Sequence, residues 1–243
     1  MNILILAGGQ DPSQNQEHYP LCLTEFDSVP LIEHVVSSCS VLKPSNLIVA
    51  FRAVDITKYH LNNIVSLLWP QTSIIPIYEQ TQGAACTALL AAGPIDNDDE
   101  LLIVNGNEFL DSNFYEIVSE FRQRKLDAGI VTFRAIHPRY SYVRLDDNGL
   151  VVEAAEKNPI STNATAGFYW FSNGKNFVRA AKNLIRKDAR VDGNFYICPA
   201  FNELILENLS IGVYQIESKF YHPLKTGRQV EQFETLFERG LNE

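Results

Sequence analysis

Residues 137–171 read HPRYSYVRLDDNGLVVEAAEKNPISTNATAGFYWF, and this stretch does most to decide the fold. Two apolar segments, residues 142–145 and 150–155, flank the sequence DDNG at 146–149. Because Asp, Asn and Gly favour tight turns between antiparallel strands, these segments predict a β-hairpin. Residues 166–171 predict a further strand. The stretch therefore predicts three consecutive β-strands.

The chain before this stretch alternates short apolar runs with segments of helical periodicity. The predicted strands are residues 3–7, 46–51, 73–78, 101–104 and 129–133, and the predicted helices are residues 31–39, 56–68, 83–92 and 114–124. This alternation is typical of β-α-β units that build a mostly parallel sheet. Pro76 cannot donate a ladder hydrogen bond, so its strand is expected near an edge or an end.

The chain after this stretch is predicted to contain helices at residues 176–185 and 200–207, a strand at 211–216 and a final helix from about Val230. No Pro/Ser-rich linker separates the two halves of the chain. We therefore expect one domain over residues 1–243, with a first half at 1–134 and a second at 135–243.

Composition and charge exclude several classes of function. Hydrophobic residues make up 46% and charged residues 20% of the 243, as in soluble globular proteins. The net charge of -9 disfavours nucleic acid and anionic membranes as partners, because both repel an acidic surface. The densest basic run, Arg122, Arg124 and Lys125, is interpreted as a solvated helix end.

The four cysteines, Cys22, Cys39, Cys86 and Cys198, are widely spaced and form no CxxC pair, which indicates free thiols rather than a zinc site or a disulfide framework. No stretch reaches the roughly 18 apolar residues that a membrane span requires. We therefore expect a cytoplasmic protein with no membrane association.

Several motifs resemble the nucleotidyltransferases that couple an NTP to a sugar phosphate. In chain order they are AGG at 7–9 with Tyr19-Pro20, VPLIEHVV at 29–36, GAACTALLA at 83–91, VNGNEFLD at 104–111, the stretch 137–171, and GNFYICPAFNELI at 193–205. The last two are similar to a subgroup that we associate with capsule or surface-polysaccharide precursors. The resemblance implies a Rossmann-like, GT-A-like three-layer α/β/α fold with a mixed, mostly parallel sheet. It also implies attack of a sugar phosphate on the α-phosphorus of an NTP.

The resemblance implies a nucleotide site at the carboxyl ends of the first strands. Ala7, Gly8 and Gly9 would approach the phosphates through their backbone, since glycine permits close contact. Further nucleotide contacts would come from Asn105 at a strand end and from Gln82 and Gly83 beside the base. For Gln82 and Gly83 an N-terminal helix cap is the alternative interpretation. Mg²⁺ would bind at Asn107, the position of a metal-binding Asp in the family.

The sequence departs from the family pattern on this nucleotide side. Asp11 stands at the position of the third glycine and Pro12 follows it, while Glu17 adds negative charge. No Lys or Arg occurs between Met1 and Tyr19, and Leu21 replaces the lysine of the PKPL motif. The catalytic residues therefore cannot be assigned, and the amide of Asn107 predicts weak metal binding.

The segment YHPLKTGRQVEQF at 221–233 replaces a family segment that carries a second metal-binding Asp in many members, and it has no carboxylate at that position. His222 could act as a ligand or base, or could simply be packed. Lys225 and Arg228 could supply displaced cations, or could be surface residues.

The acceptor half keeps the family pattern. Glu156 and Lys157 match an EK pair, in which the carboxylate binds substrate hydroxyls and the ammonium binds the acceptor phosphate. A surface ion pair at a strand end is the alternative interpretation. The other implied acceptor-side residues are Asn163, Thr165, Gly167 and Tyr196, although Tyr196 could equally be a core aromatic.

Three functions follow from this sequence. The first is a divergent nucleotidyltransferase that binds nucleotide and a phosphorylated small molecule, uses Mg²⁺ and releases pyrophosphate. The second is a non-catalytic relative, a pseudoenzyme that binds nucleotide, sugar phosphate or a partner. The third is a glycosyltransferase, which the absence of a DxD motif disfavours. A homo-oligomer is compatible with the resemblance, but no feature of the sequence determines its size.

Overall fold

The computed structural model describes residues 1–9, 19–224 and 229. Its strands are β1 (Asn2–Leu6), β2 (Glu25–Phe26), β3 (Val29–Pro30), β4 (Asn46–Arg52), β5 (Ser73–Ile77), β6 (Leu101–Asn105), β7 (Glu108–Leu110), β8 (Ala128–Arg134), β9 (Ser141–Leu145), β10 (Val151–Glu156), β11 (Asn163–Phe171), β12 (Ile211–Ile216) and β13 (Tyr221–Pro223). Its α-helices are α1 (Leu31–Ser40), α2 (Ala53–Tyr59), α3 (Leu61–Leu68), α4 (Ala84–Leu89), α5 (Ala92–Ile95), α6 (Phe114–Gln123), α7 (Gly174–Arg186) and α8 (Phe201–Leu206).

A mixed nine-stranded sheet forms the centre of the described part of the chain. Its main path is β10-β9-β11-β6-β1-β4-β5, and β8 joins β11 to β12. The pairings set β10 and β11 antiparallel to the other seven strands, so the sheet is mostly parallel in direction. The strand β5, which contains Pro76, lies at one edge as its proline predicts.

Helices cover both faces of the sheet. Side chains of Ile3 and Ile5 pack in one core cluster with residues of α1, α3 and α6. Leu4 and Leu6 point to the other face and pack with α4, α5, α7 and α8. Because both faces of β1 are buried, its sequence is continuously apolar rather than alternating. The three-layer α/β/α fold expected from the resemblance is therefore confirmed.

Two predicted helices are broken in the structure. The helix predicted at 56–68 is two helices, α2 and α3, because His60 between them adopts the left-handed conformation with φ 52°, which cannot continue a right-handed helix. The helix predicted at 83–92 begins after Gly83 and ends at Leu89. A separate short helix, Ala92–Ile95, follows it.

The short strands β7 and β13 were not predicted from the sequence. Each has three residues, too few for a periodic pattern, and they pair with each other in a small antiparallel sheet. The final helix expected from Val230 lies outside the described residues. Within the described ranges, no helix combines the length and hydropathy that a membrane span needs.

Gly129 provides a test of the core packing. A Cβ at this position in β8 would lie 2.4 Å from Cδ2 of Phe121, a fully buried residue whose ring stacks on Trp170. We expect Gly129→Ala to lower the free energy of unfolding by about 1–3 kcal/mol through overpacking, measured by urea denaturation. In Gly93→Ala, the matched control, the added Cβ meets nothing within 4 Å and stability should not fall. Equal stability of the two variants would contradict this account.

Candidate functional site

A cavity of about 700 Å³ opens where parallel strands end. The residues at or just beyond the ends of β1, β4, β5 and β6 contribute to its lining, and they include Gly8, Gly9, Arg52, Tyr78, Asn105 and Asn107. Ligand sites in α/β sheets form at this edge because successive loops diverge there and leave a crevice. The position of the cavity therefore follows from the sheet topology.

Small residues let the ends of these strands come together. A Cβ on Gly8 would lie 2.6 Å from Cδ1 of Ile77, and a Cβ on Gly106 would lie 2.8 Å from Cβ of Ala7. A larger residue at Gly106 would push the strand ends apart, whereas one at Gly8 would displace the side chain of Ile77. Gly8 and Gly9 line the cavity, whereas the backbone NH of Ala7 donates to the carbonyl oxygen of Ala50 at 3.0 Å and continues the sheet.

Two carboxylates held by neighbouring side chains, Glu108 and Glu156, also line the cavity. Glu108 is buried, and its Oε2 accepts a hydrogen bond from Nδ2 of Asn105 at 3.1 Å. Glu156 ends β10, and its Oε2 accepts a hydrogen bond from the hydroxyl of Ser141. Carboxylates held in this way are suited to accept hydrogen bonds from ligand hydroxyl groups.

A bulge in β11 shapes the same part of the cavity. The register of β11 against β8 shifts between Thr165 and Tyr169, and Gly167 between them has φ +65°. A Cβ on Gly167 would lie 1.9 Å from Oε2 of Glu108, so any other residue would displace this carboxylate and strain the backbone. The hydroxyls of Thr165 and Tyr169 are 3.0 Å apart and both residues line the cavity. The bulge thus orients polar groups toward the cavity.

Nearby buried groups are kept neutral. Burial raises the pKa of Tyr169 well above its ordinary value, and the nearby carboxyl groups of Glu156 and Glu108 raise it further. Burial also raises the pKa of Cys198, with a smaller contribution from Glu156. Both groups therefore stay protonated near neutral pH.

Comparison with known proteins identifies the family. A family model described as nucleotidyl transferase matches residues 4–203. The chain belongs to the nucleotidyl transferase family. It is 26% identical over 185 residues to the bifunctional protein GlmU of Trichodesmium erythraeum, a match that covers 70% of this chain and 39% of that protein. The chain therefore aligns with well under half of that curated relative.

Solved structures share the fold of this chain. A nucleoside-diphosphate-sugar pyrophosphorylase from Vibrio cholerae RC9 superposes with a TM-score of 0.82 and 22% identity, covering 97% of this chain and 100% of that chain. A UDP-glucose pyrophosphorylase complexed with UDP-glucose superposes with a TM-score of 0.76 and 11% identity, covering 98% of each chain.

The structure brings together most of the site residues predicted for a nucleotidyl transferase. Those that line the cavity are Gly8, Gly9, Gly83, Asn105, Asn107, Glu156, Thr165, Gly167 and Tyr196. Among the described lining residues, Ala7, Gln82, Lys157 and Asn163 do not appear. Gln82 is exposed, and its backbone carbonyl accepts from the NH of Phe195 at 2.7 Å. Gly83 lines the cavity and is also the N-cap residue of α4. A nucleotide contact and a helix cap are therefore compatible roles for this residue.

Lys157 lies beside the cavity rather than in its lining. Its side chain is exposed, its Nζ lies 3.0 Å from Oδ2 of Asp192, and the ammonium sits 5.2 Å from the ring centroid of Tyr196. Hydrogen bonds to Tyr196 and Asp192 raise its pKa. The Lys157 ammonium is thus held beside the cavity, against a Tyr196 ring that does line it. Asn163 pairs with Arg134 inside the sheet.

The position of the family lysine is part of the core. Leu21 lies in a 3-10 helix, Leu21–Leu23, and is only 4% exposed. A charged side chain there would have to be buried, which is costly. The loop residues Asp11, Pro12 and Glu17, and the cations Lys225 and Arg228, lie outside the described residues.

Two arginines that the sequence analysis missed line the cavity, Arg52 and Arg139. Arg52 ends β4, and its Nη1 lies 3.7 Å from Oδ2 of Asp55. The guanidinium of Arg139 lies 4.6 Å from the ring centroid of Tyr140 and donates to its hydroxyl. Arg52 could have been found from its position directly after a predicted strand. Arg139 precedes a strand, and no local pattern indicates that it reaches the cavity.

Oxygen ligands for a metal are sparse at this site. Within the described part of the chain, no three or more His, Cys, Asp or Glu residues are grouped as a metal site. Asn107 and Glu108 follow β6 and both line the cavity. Since Mg²⁺ keeps several waters and phosphate oxygens, one carboxylate and one amide fit a metal that the substrate largely holds.

His222 is packed against β7, the strand that begins with Glu108. It lies in β13, and its ring stacks on Phe109 of β7 with centroids 6.0 Å apart. It is not among the described lining residues of the cavity. Burial lowers its pKa below 6.5, and the charge of Asp111 partly opposes this shift. These contacts support the packed interpretation of His222.

The lowered pKa of His222 predicts a pH dependence of stability. The unfolded chain binds a proton at His222 more readily than the folded chain does. The stability contributed by the neutral, packed His222 is therefore fully present above the unfolded pKa of about 6.5, and it is lost as pH decreases through the folded pKa. We expect His222→Phe to lose less stability than the wild type between about pH 7 and pH 5 in urea denaturation. Identical pH profiles for the two proteins would contradict the assigned pKa shift.

Proposed function

We propose that the chain transfers a nucleotidyl group from an NTP to a sugar phosphate and releases pyrophosphate. The observation that carries this proposal is one cavity that joins the backbone of Gly8 and Gly9 to the carboxylates Glu108 and Glu156. Glycine backbone can approach phosphates closely, and carboxylates accept hydrogen bonds from sugar hydroxyls. The cavity thus offers Gly8 and Gly9 to the phosphates of the NTP and Glu156 to the hydroxyls of the sugar. The resemblance of residues 1–134 and 135–243 to nucleotide and acceptor halves supports the same division.

The relatives support this substrate class. The Vibrio cholerae structure carries the name of a nucleoside-diphosphate-sugar pyrophosphorylase, and the UDP-glucose pyrophosphorylase structure contains UDP-glucose. A nucleoside diphosphate sugar has a base, two phosphates and a sugar in line. A cavity of about 700 Å³ falls within the usual range for ligand pockets.

In the proposed reaction a phosphate oxygen of the acceptor attacks the α-phosphorus of the NTP. A new P–O bond forms, the bond from the α-phosphorus to the bridging oxygen breaks, and the electron pair leaves with pyrophosphate. Such reactions depend on positioning and on neutralising charge. Glu156 and Thr165 orient the sugar, while Arg139 neutralises the acceptor phosphate.

Mg²⁺ would be held by Asn107 and Glu108 together with substrate oxygens. When bound, it supplies positive charge to the phosphates and aligns them. The chain's own contribution is to keep Glu108 in place through Asn105 and to admit the phosphates beside Gly9.

A second function, binding of the same ligands without turnover, is favoured by Leu21. This buried apolar residue occupies the place of a catalytic lysine, and loss of one preorganised group typically costs about 10²- to 10³-fold in rate. The described cations of the cavity, Arg52 and Arg139, would then serve binding alone.

The proposed reaction predicts Mg²⁺-dependent release of pyrophosphate that requires both an NTP and a hexose 1-phosphate. The measurement is a coupled pyrophosphate assay over the four common NTPs and a panel of sugar phosphates. No release from folded protein would contradict catalysis. Thermal stabilisation by the same ligands in that case would establish the binding function instead.

Arg139 separates the roles of the two substrates. We expect Arg139→Ala to raise the KM for the sugar phosphate at least tenfold, since a charge-assisted hydrogen bond contributes about 1.5–3 kcal/mol, and to leave the KM for the NTP within about twofold. Arg139→Lys should recover part of the loss. If turnover is absent, titration calorimetry of the sugar phosphate makes the same comparison.

Arg144→Ala is the matched control for Arg139. Arg144 is exposed on β9, donates to Glu153, and is not among the described residues that line the cavity. An equal loss in the Arg139 and Arg144 variants, or no loss in either, would contradict the role of Arg139.

A further inference from the structure

Tyr78 and Val54 form an exposed apolar rim on the cavity, which we call the Tyr78 rim. Tyr78 is 81% exposed and Val54 is 58% exposed, and both line the cavity. They follow adjacent strands, since Arg52 of β4 pairs in register with Ile77 of β5. Val54 is two residues beyond this pair and Tyr78 is one residue beyond it. Val54 is the second residue of α2, which follows β4 directly, so the two residues lie just beyond neighbouring strands at the same edge of the sheet.

Folding does not explain the exposure of Tyr78. Among the described residues, no aromatic ring stacks on it and its hydroxyl has no hydrogen bond in the structure. An aromatic ring left in water contributes almost none of the stabilisation that burial provides. Its large flat surface is therefore available to a ligand in the cavity.

The Tyr78 rim lies close to the glycines of the phosphate side. A Cβ on Gly8 would lie 2.6 Å from Cδ1 of Ile77 and 3.9 Å from Cγ of Arg52. Ile77 directly precedes Tyr78, and consecutive Cα atoms are about 3.8 Å apart. A nucleotide with its phosphates beside Gly8 and Gly9 therefore has the rim within the reach of its base.

The side chains beside Tyr78 suit a base. Glu79 lines the cavity next to Tyr78, and its carboxylate repels phosphate. Arg52 also lines the cavity, and its Nη1 lies 3.7 Å from Oδ2 of Asp55, which offsets part of its positive charge. The exposed ring of Tyr78 and the side chain of Val54 therefore offer a flat or apolar surface to a weakly charged group.

We propose that Tyr78, supported by Val54, is the stacking platform for the nucleobase and supplies affinity that does not depend on base identity. Every base presents a π face, so stacking on a tyrosine binds purines and pyrimidines alike. Gln82, which the sequence analysis placed beside the base, is exposed and absent from the described lining residues. This inference rests on the proposed function, because it requires a nucleotide in the cavity.

Titration calorimetry with Mg²⁺ and ATP, GTP, CTP, UTP or inorganic tripolyphosphate tests the platform. Stacking contributes about 1–3 kcal/mol per base, so Tyr78→Ala should weaken binding of all four nucleotides by about 5- to 150-fold. Tripolyphosphate has the same phosphates without a base, and its affinity should stay within about twofold. Tyr78→Phe keeps the ring and should bind as the wild type does.

Tyr115→Ala is the matched control, since Tyr115 is 57% exposed on α6 and does not appear among the described lining residues. It should leave every affinity unchanged. Equal weakening of nucleotides and tripolyphosphate by Tyr78→Ala, or no weakening of nucleotides, would overturn the platform. Failure of the wild-type protein itself to bind nucleotides would instead overturn the proposed nucleotide site, and the platform with it.

Discussion

The contact between Gly167 and Glu108 is the constraint on which the cavity depends. Glu108 is a buried carboxylate at the start of β7, held by the side-chain amide of Asn105. In β11, Gly167 passes close beside it with a positive φ, a conformation that side-chain-bearing residues rarely adopt. The bulge that results directs Thr165 and Tyr169 toward the cavity. Packing and site geometry are thus set by one backbone conformation.

The two sides of the cavity differ in how far they keep the family's chemistry. On the acceptor side, Glu156 and Thr165 line the cavity as the resemblance implies. On the nucleotide side, Leu21 is buried and Arg52, which comes from the end of β4, is a described cation of the cavity. A cation can neutralise a phosphate from a distance, so it can come from different parts of the chain. The glycine backbone has to contact the phosphates directly, so its position in the sequence is more constrained.

Much of the fold could be predicted from periodicity and composition. The strands at Asn2–Leu6, Asn46–Arg52 and Ile211–Ile216 were predicted to within one residue at each end, since buried strands carry continuous apolar runs. The break at His60 was missed because its left-handed φ leaves no compositional signal. The three-residue strands β7 and β13 were missed because they are held by each other rather than by local propensity.

The amino-acid sequence by itself determined the class of the protein, its α/β order and the residue types available at the strand ends, because these follow from local patterns and motifs. Only the tertiary structure decided which side chains share the cavity. Lys157 follows Glu156 directly, yet it turns to Asp192, while Tyr78 and Arg139 are 61 positions apart and line one space. Strand pairing and the bulge at Gly167 determine which side chains face the cavity. These contacts join residues far apart in the sequence, so no local sequence pattern predicts them.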